Sequence, residues 1–447
     1  MRNGKLIKNY IYNTLYQILV LIAPLITTPY ISRVLGVTNI GIYQYSQSIA
    51  SYFVLIGAVG TTLYGQREIA YLQDKPLERS KAFWEIEIFR LVATIFCTLV
   101  YFFVFCTHGS YPEIYAILTL EVLATAIDIS WLFMGMENFK ITVIRNTIIK
   151  LTGIVCVFLF VKGPDDLGIY TMCVTAPLFI GNLSLWFSLK KYLVKTGLTA
   201  SELIKGIKDR LKPILTLFLP QIAADVYLLL DKTMIGVFGT HIDQVGYYSQ
   251  GQKIVKIALM IVTSLGTVMI PRMANMFANG EKKAINYYMN KSFSFTFLLS
   301  FPMIFGLISV SKEFTPIFFG AGYDKVSTLM IIMSPMVLLM GIANVLGTQY
   351  LLPTGRQKEY TISVGVGVIV NLILNAILIS LWSSVGACIA TVVSQIVVDY
   401  MQFRQLKNEI KFTTVVKLSY KYLFAAIIMF IVCCLTKLVV KTGIASI

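Results

Sequence analysis

The chain has 447 residues, of which 57% are hydrophobic and 13% are charged, and its mean hydropathy is +0.75. These values exclude an ordinary soluble domain and indicate an integral membrane protein. The formal net charge of +16 would suggest nucleic-acid binding in a soluble protein, but here most cations fall between apolar runs, so membrane topology explains them.

Thirteen apolar runs are long enough to cross a bilayer, since a helical span needs about 20 apolar residues. In chain order they cover residues 10–31, 40–62, 83–106, 112–134, 141–161, 167–188, 213–238, 246–270, 291–311, 326–352, 361–381, 384–403 and 419–440. The runs predict an N-terminal six-helix lobe, 1–189, a basic cytoplasmic linker, 190–212, a C-terminal six-helix lobe, 213–404, and an extra transmembrane segment, 405–447. The predicted fold is all-α and integral to the membrane.

Two stretches of the chain repeat each other at a separation of 205 or 206 residues. Gly41–Gln47 is similar to Gly246–Gln252, and Gly60 with Arg67 is similar to Gly266 with Arg272. Because internal repetition reflects architecture, it supports two related lobes.

The distribution of Lys and Arg between alternate loops predicts the orientation of the chain. When cations near a span end are counted with the adjoining connection, the N-terminus and the even-numbered connections hold 27 of the 38 Lys and Arg residues, the odd-numbered connections and the C-terminal end hold 6, and 5 lie deeper inside predicted spans. This asymmetry places the N-terminus in the cytoplasm. Six spans return the chain to the same side, so the lobes are predicted to be a parallel repeat about an axis along the membrane normal.

The linker 190–212 carries seven cations and an amphipathic stretch at Ser201–Lys205. Such a segment can lie along the anionic inner leaflet of a membrane. A solvated linker explains the same composition, and the sequence leaves both alternatives open.

Basic residues inside the spans are the main candidates for a binding site. Five of them would together cost on the order of 15 kcal/mol if they faced lipid, so we expect them to line a hydrated cavity. With Arg33, at the outer end of the first span, the predicted set is Arg33, Arg90, Lys150, Lys232, Lys253 and Lys256. Lys253 and Lys256 are three residues apart and therefore share one helix face. For Arg90 and Arg145, extension to the inner membrane surface is the alternative.

Acidic residues inside the spans allow two interpretations. Asp128, Asp225 and Asp231 could each carry a proton or bind a sodium ion that drives a transport cycle. They could equally be fixed counter-ions of basic residues such as Lys232 or Arg145. The sequence favours pairing without excluding ion coupling.

Neither the cysteines nor the histidines suggest a metal or redox centre. The seven cysteines fall in or beside apolar runs without the spacing of metal ligands, and His108 and His241 lie in separate short loops. We expect reduced, packed cysteines, no metal site and no cofactor. Coupling to protons or sodium ions is the one open point.

Several segments of the chain resemble the polysaccharide flippases, the Wzx-type exporters of O-antigen and capsule units within the multidrug/oligosaccharidyl-lipid/polysaccharide exporter superfamily. The specific segments are Asp128–Glu137 and Leu230–Gly236, and weaker ones are Gly41–Tyr45, Tyr64–Ala70, Leu219–Ile222 and Leu352–Arg356. The resemblance covers most of the chain. One departure is the number of spans, because family members commonly have twelve or fourteen.

The resemblance implies two six-helix lobes around a central cavity that opens alternately to each leaflet of a bacterial cell membrane. It implies that an undecaprenyl-pyrophosphate-linked oligosaccharide moves outward for capsule, O-antigen or exopolysaccharide synthesis. The implied partners are the lipid-linked glycan, the bilayer, and the polymerase and glycosyltransferases of the same pathway, with no nucleic acid. A pyrophosphate cannot cross hydrocarbon without a hydrated, positively charged route, which fits the basic residues in the spans.

Two other functions use a similar framework. A multidrug or lipid II exporter of the same superfamily is the first alternative. A membrane-embedded polysaccharide polymerase or ligase is the second, but it would need an exposed catalytic surface, and the predicted outer loops are short and poor in charge. We therefore expect a transporter and not an enzyme. The sequence does not identify the glycan, the coupling ion or the oligomeric state.

Overall fold

A computed structural model describes residues 2–410 and 412–439, with side chains described from residue 16 except at 219–221, 223–225, 227–228, 267–268, 412 and 438–439. The chain forms two compact units, Met1–Leu229 and Leu230–Ile447, which we call unit 1 and unit 2. The boundary between them falls within a single long helix, α8 (Ala200–Phe238).

Unit 1 contains seven helices before α8. They are α1 (Arg2–Ala58), α2 (Thr61–Tyr71), α3 (Pro76–Tyr101), α4 (Pro112–Ala126), α5 (Ser130–Gly135), α6 (Phe139–Phe160) and α7 (Leu167–Leu185). The helical path of α1 breaks at Gly36, where φ is 73° and ψ is 170°. This backbone conformation favours glycine, and it separates the first two predicted spans.

Unit 2 contains the remaining helices. They are α9 (Asp243–Ala278), α10 (Lys282–Phe319), α11 (Asp324–Met333), α12 (Met336–Ala343), α13 (Gln357–Trp382), α14 (Ser384–Gln405) and α15 (Phe412–Val439). A π-helical stretch, Asn344–Leu351, continues α12. The last helix, α15, packs on α10, and the Lys437 ammonium donates to the Glu313 carboxylate and the Ser309 carbonyl.

Eleven helical segments of the described residues are long and apolar enough to span a membrane. One of them, Tyr16–Tyr71, contains most of the first predicted span and all of the second, because α1 runs through the first and most of the second with a break only at Gly36. The predicted span 213–238 forms part of α8, where several side chains are outside the described residues. The all-α membrane fold is confirmed, and the number of 13 spans stays a prediction.

The core of unit 1 contains two of the segments on which the resemblance rests, Tyr64–Ala70 and Asp128–Glu137. Trp131 of α5 is fully buried and stacks on Phe83 of α3, with ring centroids 5.3 Å apart. A Cβ atom at Gly65 of α2 would lie 2.5 Å from the Trp131 ring, so α2 and α5 can approach only because residue 65 has no side chain. These segments therefore fix helix packing within unit 1.

Candidate functional site

Three of the six predicted basic site residues come together in unit 2. Lys232 lies on α8, and Lys253 and Lys256 lie on one face of α9. The charges of Lys253 and Lys256 are within electrostatic reach of Lys232. Lys256 is exposed, whereas the other two are half-buried. We call these three residues the lysine group, and its mutual repulsion favours binding of an anion between the ammonium groups.

Beside the lysine group lies the carboxylate of Asp231, which is 2% exposed. Its Oδ1 accepts a hydrogen bond from the Asn375 side-chain amide at 2.7 Å. Its Oδ2 accepts hydrogen bonds from the Tyr248 hydroxyl and, at 2.9 Å, from the Thr391 hydroxyl. Helices α8, α9, α13 and α14 therefore meet at this carboxylate, and we call these four residues the Asp231 centre.

Among the described residues, the side chains that donate hydrogen bonds to the Asp231 carboxylate are all neutral. Such donors offset part of the desolvation of a buried charge and leave its negative field in place. Asn375 adds a second acceptor, since its side-chain Oδ1 is buried without a hydrogen-bond partner. The centre can hold a proton or a monovalent cation, and because Lys256 is within electrostatic reach of Asp231 it can also act as a counter-ion to the lysine group.

Asp128 has a basic neighbour in unit 1. One carboxylate oxygen lies 3.5 Å from a guanidinium nitrogen of Arg145 and accepts the Ser130 backbone N–H at 3.0 Å. Arg145 also donates to the Asn182 side chain, which in turn donates to the Ala124 carbonyl at 2.8 Å. This geometry fits the counter-ion interpretation of Asp128.

The other predicted site residues lie apart from the lysine group in sequence and have different surroundings. Arg90 is 2% exposed, and its guanidinium donates to the Thr125 carbonyl at 2.8 Å and the Thr62 hydroxyl at 3.3 Å. Arg33 on α1 and Lys150 on α6 are exposed. The side chain of Asp225 lies outside the described residues. Roles for these residues in binding stay predictions.

Arg210, a member of the predicted linker, is bound to unit 1. Its Nε donates to Glu85 of α3 and its Nη1 to Glu68 of α2, each at 2.6 Å, while Nη1 also donates to the Tyr64 hydroxyl at 3.0 Å. Burial lowers the pKa of Arg210, but the bonds to Glu85 and Glu68 outweigh it and raise the pKa overall. A Cβ at Gly206 would lie 2.2 Å from Glu85, so the contact needs glycine there.

Sequence inspection missed two polar residues of α13, namely Asn375 of the Asp231 centre and its neighbour Asn371. Asn371 and Asn375 are fully buried, and the Asn375 amide donates to Asn371 Oδ1 at 3.0 Å. Their spacing of four residues within an apolar helix was an available signal, because two amides on one helix face in a membrane need polar partners.

Comparison with known proteins shows which family the chain matches. Residues 6–277 match the family model described as polysaccharide biosynthesis protein, and residues 216–377 match the model described as MatE. Two relatives are named "Putative O-antigen transporter". The one from Shigella dysenteriae is 24% identical over 396 residues, covering 86% of this chain and 96% of the relative. The one from Escherichia coli K12 is 22% identical over 407 residues, covering 90% and 96%.

A solved structure of the lipid II flippase MurJ, in an inward closed conformation, has a similar fold. Its TM-score is 0.75 at 17% sequence identity, with 96% of this chain and 93% of that chain covered. At this identity the likeness shows the fold alone, which is that of an all-helical membrane transporter.

Proposed function

The chain belongs to the polysaccharide biosynthesis protein family, and we propose that this flippase translocates an undecaprenyl-pyrophosphate-linked oligosaccharide repeat unit from the inner to the outer leaflet by alternating access. The relatives are transporters, so the protein is a multi-pass membrane transporter and not an enzyme. The glycan is proposed to serve capsule, O-antigen or exopolysaccharide synthesis.

The observation that carries the proposal is the lysine group. Lys253 and Lys256 share one helix face, and Lys232 on the neighbouring helix is within electrostatic reach of both. Ammonium groups match phosphate oxygens, and in a membrane they are retained where they serve a polar route. A pyrophosphate carries several negative charges, so a set of three cations suits it better than a single lysine would. Arg33, Arg90 and Lys150 stay predicted members of the route.

We also propose that a cation binds at Asp231 and couples its gradient to transport. Asp231 suits this role better than Asp128, because the described donors to Asp231 are neutral, whereas Asp128 has Arg145 beside it. Binding of a proton or a sodium ion would cancel the negative field next to the lysine group. The affinity of the lysine group for an anion would then depend on the occupancy of the Asp231 centre.

The proposed location is the bacterial cell membrane with the N-terminus in the cytoplasm, and the proposed partners are the polymerase and glycosyltransferases that use the same lipid-linked glycan. Single cysteines at three exposed positions test the orientation. A membrane-impermeant thiol reagent should label Ser110→Cys in intact cells, and should label Lys75→Cys and Lys205→Cys only after permeabilisation. Labelling of Lys205→Cys in intact cells would reverse the orientation.

A deletion strain tests the transported substrate. Without the protein, cells should accumulate the lipid-linked oligosaccharide on the inner leaflet and lose the matching surface polysaccharide, with recovery when the gene is restored. The fold similarity to a lipid II flippase makes lipid II the second candidate. Accumulation of lipid II, with surface polysaccharide unchanged, would favour that candidate and reject the oligosaccharide.

A further inference from the structure

A row of buried polar side chains runs along one face of α14 and leads away from the Asp231 centre. We call it the polar stripe, and it consists of Thr391, Ser394, Gln395, Asp399, Gln402 and Gln405. The first five are at most 8% exposed, and Gln405 is half-buried. Their spacing of three or four residues keeps them on one side of the helix. From Thr391 to Gln405 the stripe covers about 21 Å of helix, most of the thickness of a hydrocarbon core.

Hydrogen bonds connect Thr391 and Ser394 of the polar stripe to Asp231. The Asn375 amide donates to Asp231 and to Asn371 Oδ1, and the Asn371 amide lies 3.4 Å from the Ser394 hydroxyl. Thr391 donates directly to Asp231 at 2.9 Å. The Asp231 carboxylate and the first two members of the stripe, Thr391 and Ser394, therefore form one hydrogen-bonded system in unit 2.

The opposite end of the polar stripe reaches charged groups at the surface. The Gln405 carbonyl accepts a hydrogen bond from Arg356 at 3.0 Å, and Arg356 also pairs with Glu409 at 2.8 Å. The Glu409 side chain is 42% exposed. Arg356 also pairs with Glu359, so two carboxylates surround one guanidinium, and the net negative charge of the three groups favours a cation at this end of the stripe.

Four buried oxygens of the Asp231 centre and the polar stripe have no hydrogen-bond partner among the described residues. Asn375 Oδ1, Asp399 Oδ2, Gln402 Oε1 and Gln405 Oε1 are each buried without a hydrogen-bond partner. Leaving such an atom unsatisfied costs about 1–3 kcal/mol, and native proteins keep few of them. All four are acceptors, so the group that would satisfy them must be a donor or a positive ion.

Asp399 is the one carboxylate of the polar stripe, and few hydrogen bonds compensate its burial. It is 6% exposed, and its one hydrogen bond comes from the Gln395 amide to Oδ1 at 3.1 Å. Among the described residues no ion pair involves Asp399, either within α14 or with α9, α11, α12, α13 and the stretch Asn344–Leu351 that pack on it. An ionised carboxylate with so little compensation is unfavourable in a membrane interior, and it is relieved when a proton or metal cation binds.

We propose that Asp399 is a second binding site for a monovalent cation, and that the polar stripe carries this cation between Asp231 and the end of α14 at Gln405. The cation is a proton or a sodium ion, both of which oxygen ligands bind. This inference rests on the proposed coupling role of Asp231 and adds the route by which the cation reaches it. Asp399, in the middle of the stripe, then binds the cation between its entry at the surface and the Asp231 centre.

Infrared difference spectroscopy on the purified full-length protein in lipid nanodiscs, without any lipid-linked glycan, tests the proposal. One arm changes pH at fixed low sodium, and the other adds sodium at fixed pH. The wild type should show carboxyl signals from two buried aspartates in one of the arms, and that arm identifies the cation. Asp399→Asn should remove one signal and Asp231→Asn the other, while the exposed control Glu281→Gln should leave both.

Asp399→Asn keeps the shape of the side chain and removes an unpaired buried charge, so it should fold at least as well as the wild type. Gln395→Leu changes the residue that donates to Asp399. It should shift the pH or the sodium concentration at the midpoint of the Asp399 carboxyl signal, because the carboxylate loses its one described hydrogen bond. Asp399→Asn spectra that superimpose on the wild type in both arms, or an unmoved midpoint in Gln395→Leu, would overturn the proposal. Because no glycan is present, that result would leave the proposed flippase function standing.

Discussion

The side-chain amide of Asn375 on α13 donates a 2.7 Å hydrogen bond to the carboxylate of Asp231 on α8, although the two residues are 144 positions apart in the chain. Both side chains are buried, at 0% and 2% exposure. The bond joins the helix that carries Lys232 to the helix pair α13 and α14, so the structure of the Asp231 centre and the position of the lysine group are linked.

Removing the Asn375 amide should destabilise unit 2. Asn375→Leu leaves the Asp231 carboxylate short of one donor, which we expect to cost about 1–3 kcal/mol. Thermal unfolding in detergent measures the effect. In an Asp231→Asn background the same change should cost less, because a neutral amide tolerates the loss better than a carboxylate. Equal costs in the two backgrounds would show that the Asn375 bond does not stabilise the Asp231 charge.

The Arg210 cluster should anchor the first part of α8 to unit 1. Arg210→Met leaves Glu85 and Glu68, both mostly buried, without their shared cation and should lower the melting temperature and the membrane abundance. Arg210→Lys should recover part of the loss, since an ammonium lacks the planar fork that reaches both carboxylates. Lys208→Met, an exposed position on the same helix, is the matched control. Equal behaviour of Arg210→Met and Lys208→Met would contradict the anchoring role.

Close packing of α2 on α5 makes Gly65 intolerant of larger residues. In Gly65→Ala the added Cβ would meet the Trp131 ring at 2.5 Å, and we expect overpacking to cost about 1–3 kcal/mol. At Gly306 on α10 a Cβ meets nothing within 4 Å, so Gly306→Ala should be neutral or slightly stabilising. Protein levels in purified membranes and melting temperatures compare the two variants. A Gly65→Ala protein as stable as Gly306→Ala would show that α2 and α5 are less tightly packed.

Asp128 and Asp231 should respond differently to neutralisation. Asp128→Asn keeps an acceptor for the Ser130 N–H and for Arg145, so transport should keep its dependence on the coupling cation, with a modest loss of stability. Asp231→Asn should abolish that dependence. Flipping in reconstituted vesicles, measured with and without a cation gradient, distinguishes the two. Loss of cation dependence in Asp128→Asn alone would transfer the coupling role to Asp128.

The sequence was sufficient to predict the membrane class and to single out most charged residues proposed for the site, although Asp399, inside the predicted span 384–403, was not among them. Long apolar runs locate helices, and a lysine such as Lys256 within one is conspicuous because its burial in lipid is unfavourable. It could not predict that Arg210 binds Glu85 over a separation of 125 residues, or that Thr391 binds Asp231 over 160, because such pairs depend on how helices pack. Neutral residues such as Asn371 cost less to bury than a charge and give a weaker signal, and the connection of the polar stripe to Asp231 became visible only in three dimensions.

Helix boundaries could likewise be predicted where a break has a local cause, but not where tertiary packing decides. Breaks set by local chemistry, such as the positive φ of Gly36, agree with the predicted separation of the first two spans. The continuity of α8 from residue 200 to residue 238 was not predicted, because the polar residues before Leu211 suggested a linker. Among them, Arg210 binds Glu68 of α2 and Glu85 of α3, and such tertiary contacts leave no local pattern in the sequence.

The lysine group is the part of the structure on which substrate recognition depends most directly. Lys253→Gln and Lys256→Gln keep the length and polarity of the side chains and delete the charge. If each ammonium binds the pyrophosphate, flipping should fall about ten-fold or more for each change, since a hydrogen bond between charged groups contributes about 1.5–3 kcal/mol. Lys256→Arg should keep part of the activity, and Lys407→Gln, an exposed position on another segment, should keep all of it.

The decisive measurement is therefore the flipping rate of lipid-linked oligosaccharide, taken without a cation gradient so that loss of coupling at Asp231 does not enter, in vesicles that contain equal amounts of wild type, Lys256→Gln, and the double variant Lys256→Gln with Asp231→Asn. Contact between Lys256 and the substrate predicts that the double variant is at least as impaired as Lys256→Gln. If Lys256 only neutralises Asp231, removal of both charges together should return flipping to near the wild-type rate, and that recovery would contradict binding of the pyrophosphate by the lysine group.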